Sequence, residues 1–237
     1  MKYDFTIFGT GISAKITSCL LARNGFKVCL ISDRDKNRKA LNTNLVTFLS
    51  LGSVNYLSSV FPNNKLFNKY PDIQIIKCQL NSFYSKKSQL IEFKNEENEA
   101  LGKILKNSDL ESFFDQEINQ STNINSINAG LLEIIEDTDN GVKLKINDGD
   151  HIESDLFILS STKESIIKQV DIKFFNKDLE QTALSISIKG EIIGKNCAFQ
   201  KFTTDGPIAL LPYSRNEASV VWSLKNNSKI LLKDNKD

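Results

Sequence analysis

The chain has 237 residues, 40% of them hydrophobic and 25% charged, with a formal net charge of +1. That is enough apolar material for one large or two modest cored domains, and the charge balance gives no footing to a nucleic acid or an acidic partner. No apolar run approaches the ~20 residues of a membrane helix, the cysteines Cys19, Cys29, Cys78 and Cys197 form no CxxC pair, and the single histidine, His151, reads as a solvated residue of a "DGDHIES" turn, which argues against a His-ligated metal site or a Ser-His-Asp hydrolase.

From the N-terminus, "MKYDF" leads straight into a strand, so no signal segment is expected. Asp4–Phe8, "DFTIF", reads as a short buried strand. Ile12–Asn24 reads as a helix, with Ile16, Cys19, Leu20 and Ala22 near helical spacing and Gly25 stopping it. "KVCLI" then gives a second strand. Between the first strand and the helix stands "GTGISA", the pattern Gly9-x-Gly11-x-x-Ala14, at the place where a βαβ unit binds a dinucleotide. Gly9 permits the tight turn, Gly11 lets backbone approach a pyrophosphate, and Ala14 lets helix and strand pack closely. The helix N-terminus offers N–H groups and a positive dipole end to phosphate. Read without a ligand, the same glycines serve only a strand-to-helix turn. An acidic residue should end the second strand to accept the ribose hydroxyls. Ser32 stands there, with Asp33 next. A shift of one residue changes the face of a strand, so Asp33 substitutes only if the strand has already ended.

Further along, a basic loop leads into an expected helix whose apolar stripe is Leu45, Phe48 and Leu49, interrupted or ended by Gly52. "DIQIIKCQL" and "SQLIEFK" read as strands. "NSDLESFFDQEINQ" reads as a helix with Ser108 as N-cap and Leu110, Phe113 and Phe114 facing inward. "LLEIIED", "GVKLKIND" and "HIESDLFIL" form a meander with turns at 139–141 and 148–150, His151 being a solvated turn residue. Four strands follow, "QTALSISI", "CAFQKFT", "PIALLPY" and "ASVVWSL", pointing to a mostly antiparallel sheet. The scattered cysteines read as small core residues of a reduced compartment.

Five stretches, in order, give the chain a family likeness: "GTGISAKITSCLLARNGFKVCLI", "RKALNTNLVTFLSLG", "LGKILKNSDLESFF", "DLFILSSTKESIIK" and "AFQKFTTDGPIALLPYSRNEASVVWS". Together they resemble the ubiquinone-biosynthesis FAD-dependent hydroxylases, within the p-hydroxybenzoate-hydroxylase fold group. The resemblance implies an α/β fold: a Rossmann-like FAD-binding domain with a β-meander, over 1–70 and 95–170, and a mostly antiparallel substrate-domain sheet, over 71–94 and 171–237, incomplete at the C-terminus. It implies an FAD-dependent aromatic-ring monooxygenase that takes electrons from NAD(P)H and oxygen from O₂ and acts on a polyprenyl aromatic small molecule. No catalytic side chain is assigned, because the oxygen chemistry belongs to the cofactor. Carried over, Gly9, Gly11 and Ala14 lie at the FAD pyrophosphate, Arg38 lies near the flavin, and Pro207 and Pro212 of "GPIALLP" belong to the wall facing the substrate. The plain readings are a loop arginine for Arg38 and turn or edge-strand punctuation for the prolines.

The chain also departs from the family pattern. Ser32 replaces the acid, Ser108 replaces an arginine, and "LSST" replaces "GADG", with Ser161 and Thr162 at the Asp-Gly positions; Ser165 and Lys168 beyond it follow the pattern. The family's later Gly-Asp segment is expected to be lacking, so that FAD is weakly held or absent and the last sheet is left without its cover. A non-catalytic accessory or remnant protein keeping the hydroxylase fold is therefore the alternative. The expected location is cytoplasmic, with peripheral contact at the inner membrane and self-association or ubiquinone-biosynthesis partners left open.

Overall fold

The computed structural model describes residues 2–33, 45–81, 88–97, 99–129, 132–147, 149–161, 164–170, 173, 175–192, 194 and 196–228. In chain order the elements are β1 (Lys2–Phe8), α1 (Ile12–Arg23), β2 (Val28–Asp33), β3 (Val46–Ser50), α2 (Leu51–Val60), β4 (Asp72–Ile73), β5 (Ile75–Asn81), β6 (Ser88–Phe93), β7 (Gly102–Lys106) and α3 (Asn107–Gln120). There follow β8 (Ile124–Ala129), β9 (Leu132–Thr138), β10 (Gly141–Ile146), β11 (Asp150–Leu159), α4 (Glu164–Ile167), β12 (Gln181–Lys189), β13 (Cys197–Thr203), β14 (Gly206–Pro212) and β15 (Glu217–Lys225). The expected α/β architecture is borne out. Two compact units share the chain, the first comprising Met1–Leu41 and Leu110–Phe175, the second Asn42–Asp109 and Asn176–Asp237.

The first unit holds a six-stranded sheet in the order β8-β2-β1-β11-β10-β9. Strands β8, β2, β1 and β11 run parallel, and β11, β10 and β9 form the antiparallel meander. Val28, Cys29, Leu30 and Ile31 are all buried in succession, as a parallel strand covered on both faces requires. The meander instead alternates: Val142, Leu144 and Ile146 are buried, while Lys143 and Lys145 point the other way toward Glu153 and Glu133. Against this sheet α1 presents Ala14, Ser18 and Ala22, small residues one turn apart, so helix and strand approach closely. The Ser18 hydroxyl donates to the Ala14 carbonyl at 2.8 Å, so burying it leaves no orphan donor. Beside it α3 buries Leu110, Phe114 and Ile118, and the two helices are joined by Lys15–Asp115 (2.7 Å) and Arg23–Glu117 (2.6 Å) ion pairs.

In the second unit a six-stranded sheet has the order β12-β15-β14-β13-β5-β6, antiparallel except for the β13–β5 pair, and a three-stranded sheet has the order β3-β7-β4. The smaller sheet explains why the division departs from the expected boundaries. β3 and β4 both pair with β7, which draws 42–70 and 95–109 into the second unit rather than the first.

Three local expectations are corrected. Leu45, Phe48 and Leu49 do not line a helix: Val46–Ser50 is a strand, and α2 starts only at Leu51, with Gly52 in its first turn. Ser50 is the N-cap, its Oγ accepting the Ser53 N–H at 3.3 Å. A partner drawn from far along the chain decides the matter. Gly102 lies opposite Ser50, and a Cβ on it would sit 2.0 Å from the Leu49 carbonyl, so only glycine admits β3 there. Secondly, α3 begins at Asn107, which puts Ser108 inside its first turn; Phe113 is half-buried and Ile118 completes the stripe. His151 lies exposed in β11 opposite Lys145 rather than in the turn. Strands β7 and β8 have no counterpart in the sequence reading. No helix among the described residues is long and apolar enough to cross a membrane.

Candidate functional site

The carboxyl ends of β1, β2 and β11 lie side by side, and there the chain places most of its expected nucleotide-binding residues. β1 neighbours β2 on one side, reached through α1, and β11 on the other. That is a topological switch point, where open parallel sheets bind ligands. The two glycines of the turn differ sharply. Gly9 is buried; its N–H donates to the Ile31 carbonyl at 3.0 Å, and a Cβ on it would lie 2.5 Å from the Ser160 carbonyl oxygen. The fold itself requires that glycine. Gly11 has ordinary backbone angles (φ −78°, ψ 168°), and a Cβ on it would meet nothing within 4 Å. The fold makes no such demand there.

Gly11 is the N-cap of α1, and the helix begins with no side-chain cap and no acidic residue in its first turn. Its first N–H groups and the positive end of its dipole are therefore left to an outside anion. Ala14, fully buried, keeps the helix close to the sheet. The donor set and the open space at Gly11 fit a nucleotide pyrophosphate.

At the end of β2 the arrangement is less orthodox. The Ser32 hydroxyl donates to the Ile127 carbonyl at 3.4 Å, and the strand runs on through Asp33, which pairs with Ala129. The condition under which Asp33 would substitute, a strand already ended, is not met. Ser161 follows β11 at the same sheet edge and is half-buried. Arg38 and Thr162 lie outside the described residues. At the other end of α1 a cavity of about 250 Å³ is lined by Cys19, Arg23, Glu117 and neighbours. Burial pushes the Cys19 thiol up to about 12, as it does for Cys29, so neither is a ready nucleophile. Among the described residues no cluster of His, Cys, Asp and Glu could hold a metal ion.

In the second unit Pro207 and Pro212 both lie in β14, but five residues apart they occupy opposite faces of the sheet, Pro207 across from Phe202 and Pro212, buried, across from Ala218. One ligand-facing wall holds at most one of them. The Pro212 face carries two apolar rows set by the strand register: Leu184, Trp222 and Ile208, continued by Lys201, then Ile186, Val220, Leu210 and Phe199. The Trp222 indole Nε1 is buried without a hydrogen-bond partner among the described residues. Leaving such a donor unpaired costs about 1–3 kcal/mol.

No family model matches the chain. Over 93% of its length the chain is 26% identical to "Ubiquinone biosynthesis monooxygenase COQ6, mitochondrial" of Caenorhabditis elegans, covering 52% of that protein, and 26% identical to the Rattus norvegicus protein of the same name, covering 50%. In sequence, then, the chain is similar to ubiquinone-biosynthesis monooxygenases. It spans about half the length of the curated relatives it matches. Among solved structures it resembles PqsL of Pseudomonas aeruginosa, described as a probable FAD-dependent monooxygenase, with a TM-score of 0.72 and 12% identity over 99% of this chain and 63% of that one. At that identity the likeness is one of fold.

The carboxyl ends of β1 and β11 bring Gly9, Gly11, Ala14 and Ser161 together. Two features escaped sequence reading. The Ser160 carbonyl against Gly9 left no signal, because it depends on the pairing of strands about 150 residues apart. Trp222 had one, being the only tryptophan of the chain, directly after Val220 and Val221.

Proposed function

We propose that the chain provides the FAD-binding unit and part of the substrate-facing sheet of an FAD-dependent monooxygenase that hydroxylates an aromatic ring. One observation carries the reading: Gly11 leaves open, at an uncapped helix N-terminus, a space that the fold does not itself use. The backbone there and the first amides of α1 hold the pyrophosphate, Gly9 and Ala14 keep turn and helix in place, and Arg38 is assigned to the flavin end. When bound, FAD supplies the electron-transfer and oxygen chemistry, fed by NAD(P)H. The protein orients the ring and excludes water. The relatives' names give ubiquinone biosynthesis and a mitochondrial location; a polyprenyl aromatic substrate, a peripheral position at the inner membrane and partners from that pathway belong to the same proposal.

A second reading, an accessory protein that keeps the fold without tightly held flavin, is favoured by one feature: Ser32 stands where an acid is expected, its hydroxyl already given to Ile127. An FAD titration of the chain, followed by flavin fluorescence, tests both. Weak, saturable binding that Gly11→Val abolishes in a folded protein supports the enzyme reading. Absence of binding, or affinity indifferent to Gly11→Val, overturns it. Stoichiometric flavin surviving gel filtration instead removes the accessory reading.

A further inference from the structure

We propose that Trp222 positions the aromatic ring of the substrate by donating its indole N–H to an oxygen carried on that ring. The identity of the ligand rests on the monooxygenase reading; its place rests on the second sheet alone. Nε1 is closed off and has no acceptor among the described residues, although the residue as a whole is only half-buried. The hydroxyls of Thr6 and Ser154 are also unpaired, but those residues are 0% and 2% exposed inside the first unit's closed sheet, where no ligand fits. A phenylalanine would fill the Trp222 position without an orphan donor.

Water is a poor partner here, since a buried water needs two to four polar neighbours. The cross-strand neighbours are Leu184 and Ile208, and along the strand on the same face stand Val220 and Leu224. A ligand with an apolar body and one acceptor oxygen meets both demands. Its ring lies against Leu184 and Ile208, displacing whatever closes over the N–H, and its oxygen accepts from Trp222. An apolar tail then follows the next row, Ile186, Val220, Leu210 and Phe199, which is open at Ile186 (51% exposed).

Trp222 is the chain's only tryptophan, so its indole N–H gives a single resonance in the ¹H–¹⁵N spectrum of labelled protein. The probes are 2-prenylphenol and its methyl isostere 2-prenyltoluene. The phenol should bind about fivefold tighter than the isostere and shift the indole proton downfield, as one added hydrogen bond implies. Trp222→Phe should erase that preference in equilibrium dialysis, and Trp222→His, which keeps a ring N–H, should restore part of it. An indole resonance that stays in place while the phenol binds, equal affinity for the two probes, or no binding of the phenol overturns the proposal. Flavin titration without any phenol reports separately on the monooxygenase reading, so either idea can fail while the other stands.

Discussion

The two large sheets of this chain are built from similar amounts of apolar side chain but finished differently. In the first unit β2 buries four residues in succession, Val28 to Ile31, because helices and strands close both of its faces. In the second unit β14, equally central in its sheet, leaves Gly206 to Leu211 half-buried at six consecutive positions. A closed sheet spends its apolar residues on stability. An open one holds them ready for something else, and the lone unsatisfied indole lies in the open one.

Four measurements break or sharpen that contrast. The largest effect is expected at Gly9, where a side chain collides with the Ser160 backbone. Gly9→Val should cost about 4 kcal/mol or more in chemical denaturation, whereas Gly11→Ala should move stability by less than about 0.5 kcal/mol. Equal costs at the two glycines would mean that the turn has one structural role throughout. Next, Leu144→Ala in the closed sheet should cost about 2–5 kcal/mol, and Ile186→Ala on the open face under about 1 kcal/mol. If Ile186 proves as costly as Leu144, the second sheet is covered in solution.

A smaller effect concerns pH. The buried Cys19 and Cys29 thiols stay protonated up to about 12 in the folded chain, against an ordinary 9.0. The unfolded chain releases those protons first, so their contribution is intact below pH 9 and is lost as pH rises from there toward 12. Denaturation midpoints at pH 8, 9 and 10 should therefore fall, and fall less steeply in Cys29→Ala; a fall that starts on the acid side of pH 8 would point to other groups. Smallest of all, Lys145→Gln removes a 4.0 Å surface pair with Glu133 and should shift stability by no more than about 0.5 kcal/mol, as measured by the same method.

What the sequence revealed follows the range of the interactions involved. The βαβ opening was legible almost to the residue, because strand, turn and helix signals all act within a few positions of Gly9 and Gly11. The meander was legible for the same reason, its alternation being written into "GVKLKI". Leu45, Phe48 and Leu49 misled because their spacing suits a helix as well as a strand end, and the choice belongs to Gly102, over fifty residues away. β8, "INSINA", is polar enough to pass for a loop; only its parallel pairing with β2 makes it a strand. At the site, the open space beside Gly11 could be anticipated from the motif. The opposite faces of Pro207 and Pro212 needed only the count between them, and Trp222's orphan donor needed the three-dimensional register.

The parallel pairing of β13 with β5 has a consequence for how this chain is made. The residues beside that seam, Gln74 and Asn196, are joined by a hydrogen bond yet stand 122 positions apart, with the whole α3-to-α4 part of the first unit strung between them. As the polypeptide leaves the ribosome, the hairpin of β5 and β6 emerges early and must wait, an aliphatic edge with no neighbour, while the intervening segment folds onto the strands already made. Such long-range closure is slow, and unpaired edges are where newborn chains stick to one another. Production of this protein should therefore depend on chaperones that shield strands, and supplying more of such a chaperone during synthesis should raise the soluble yield.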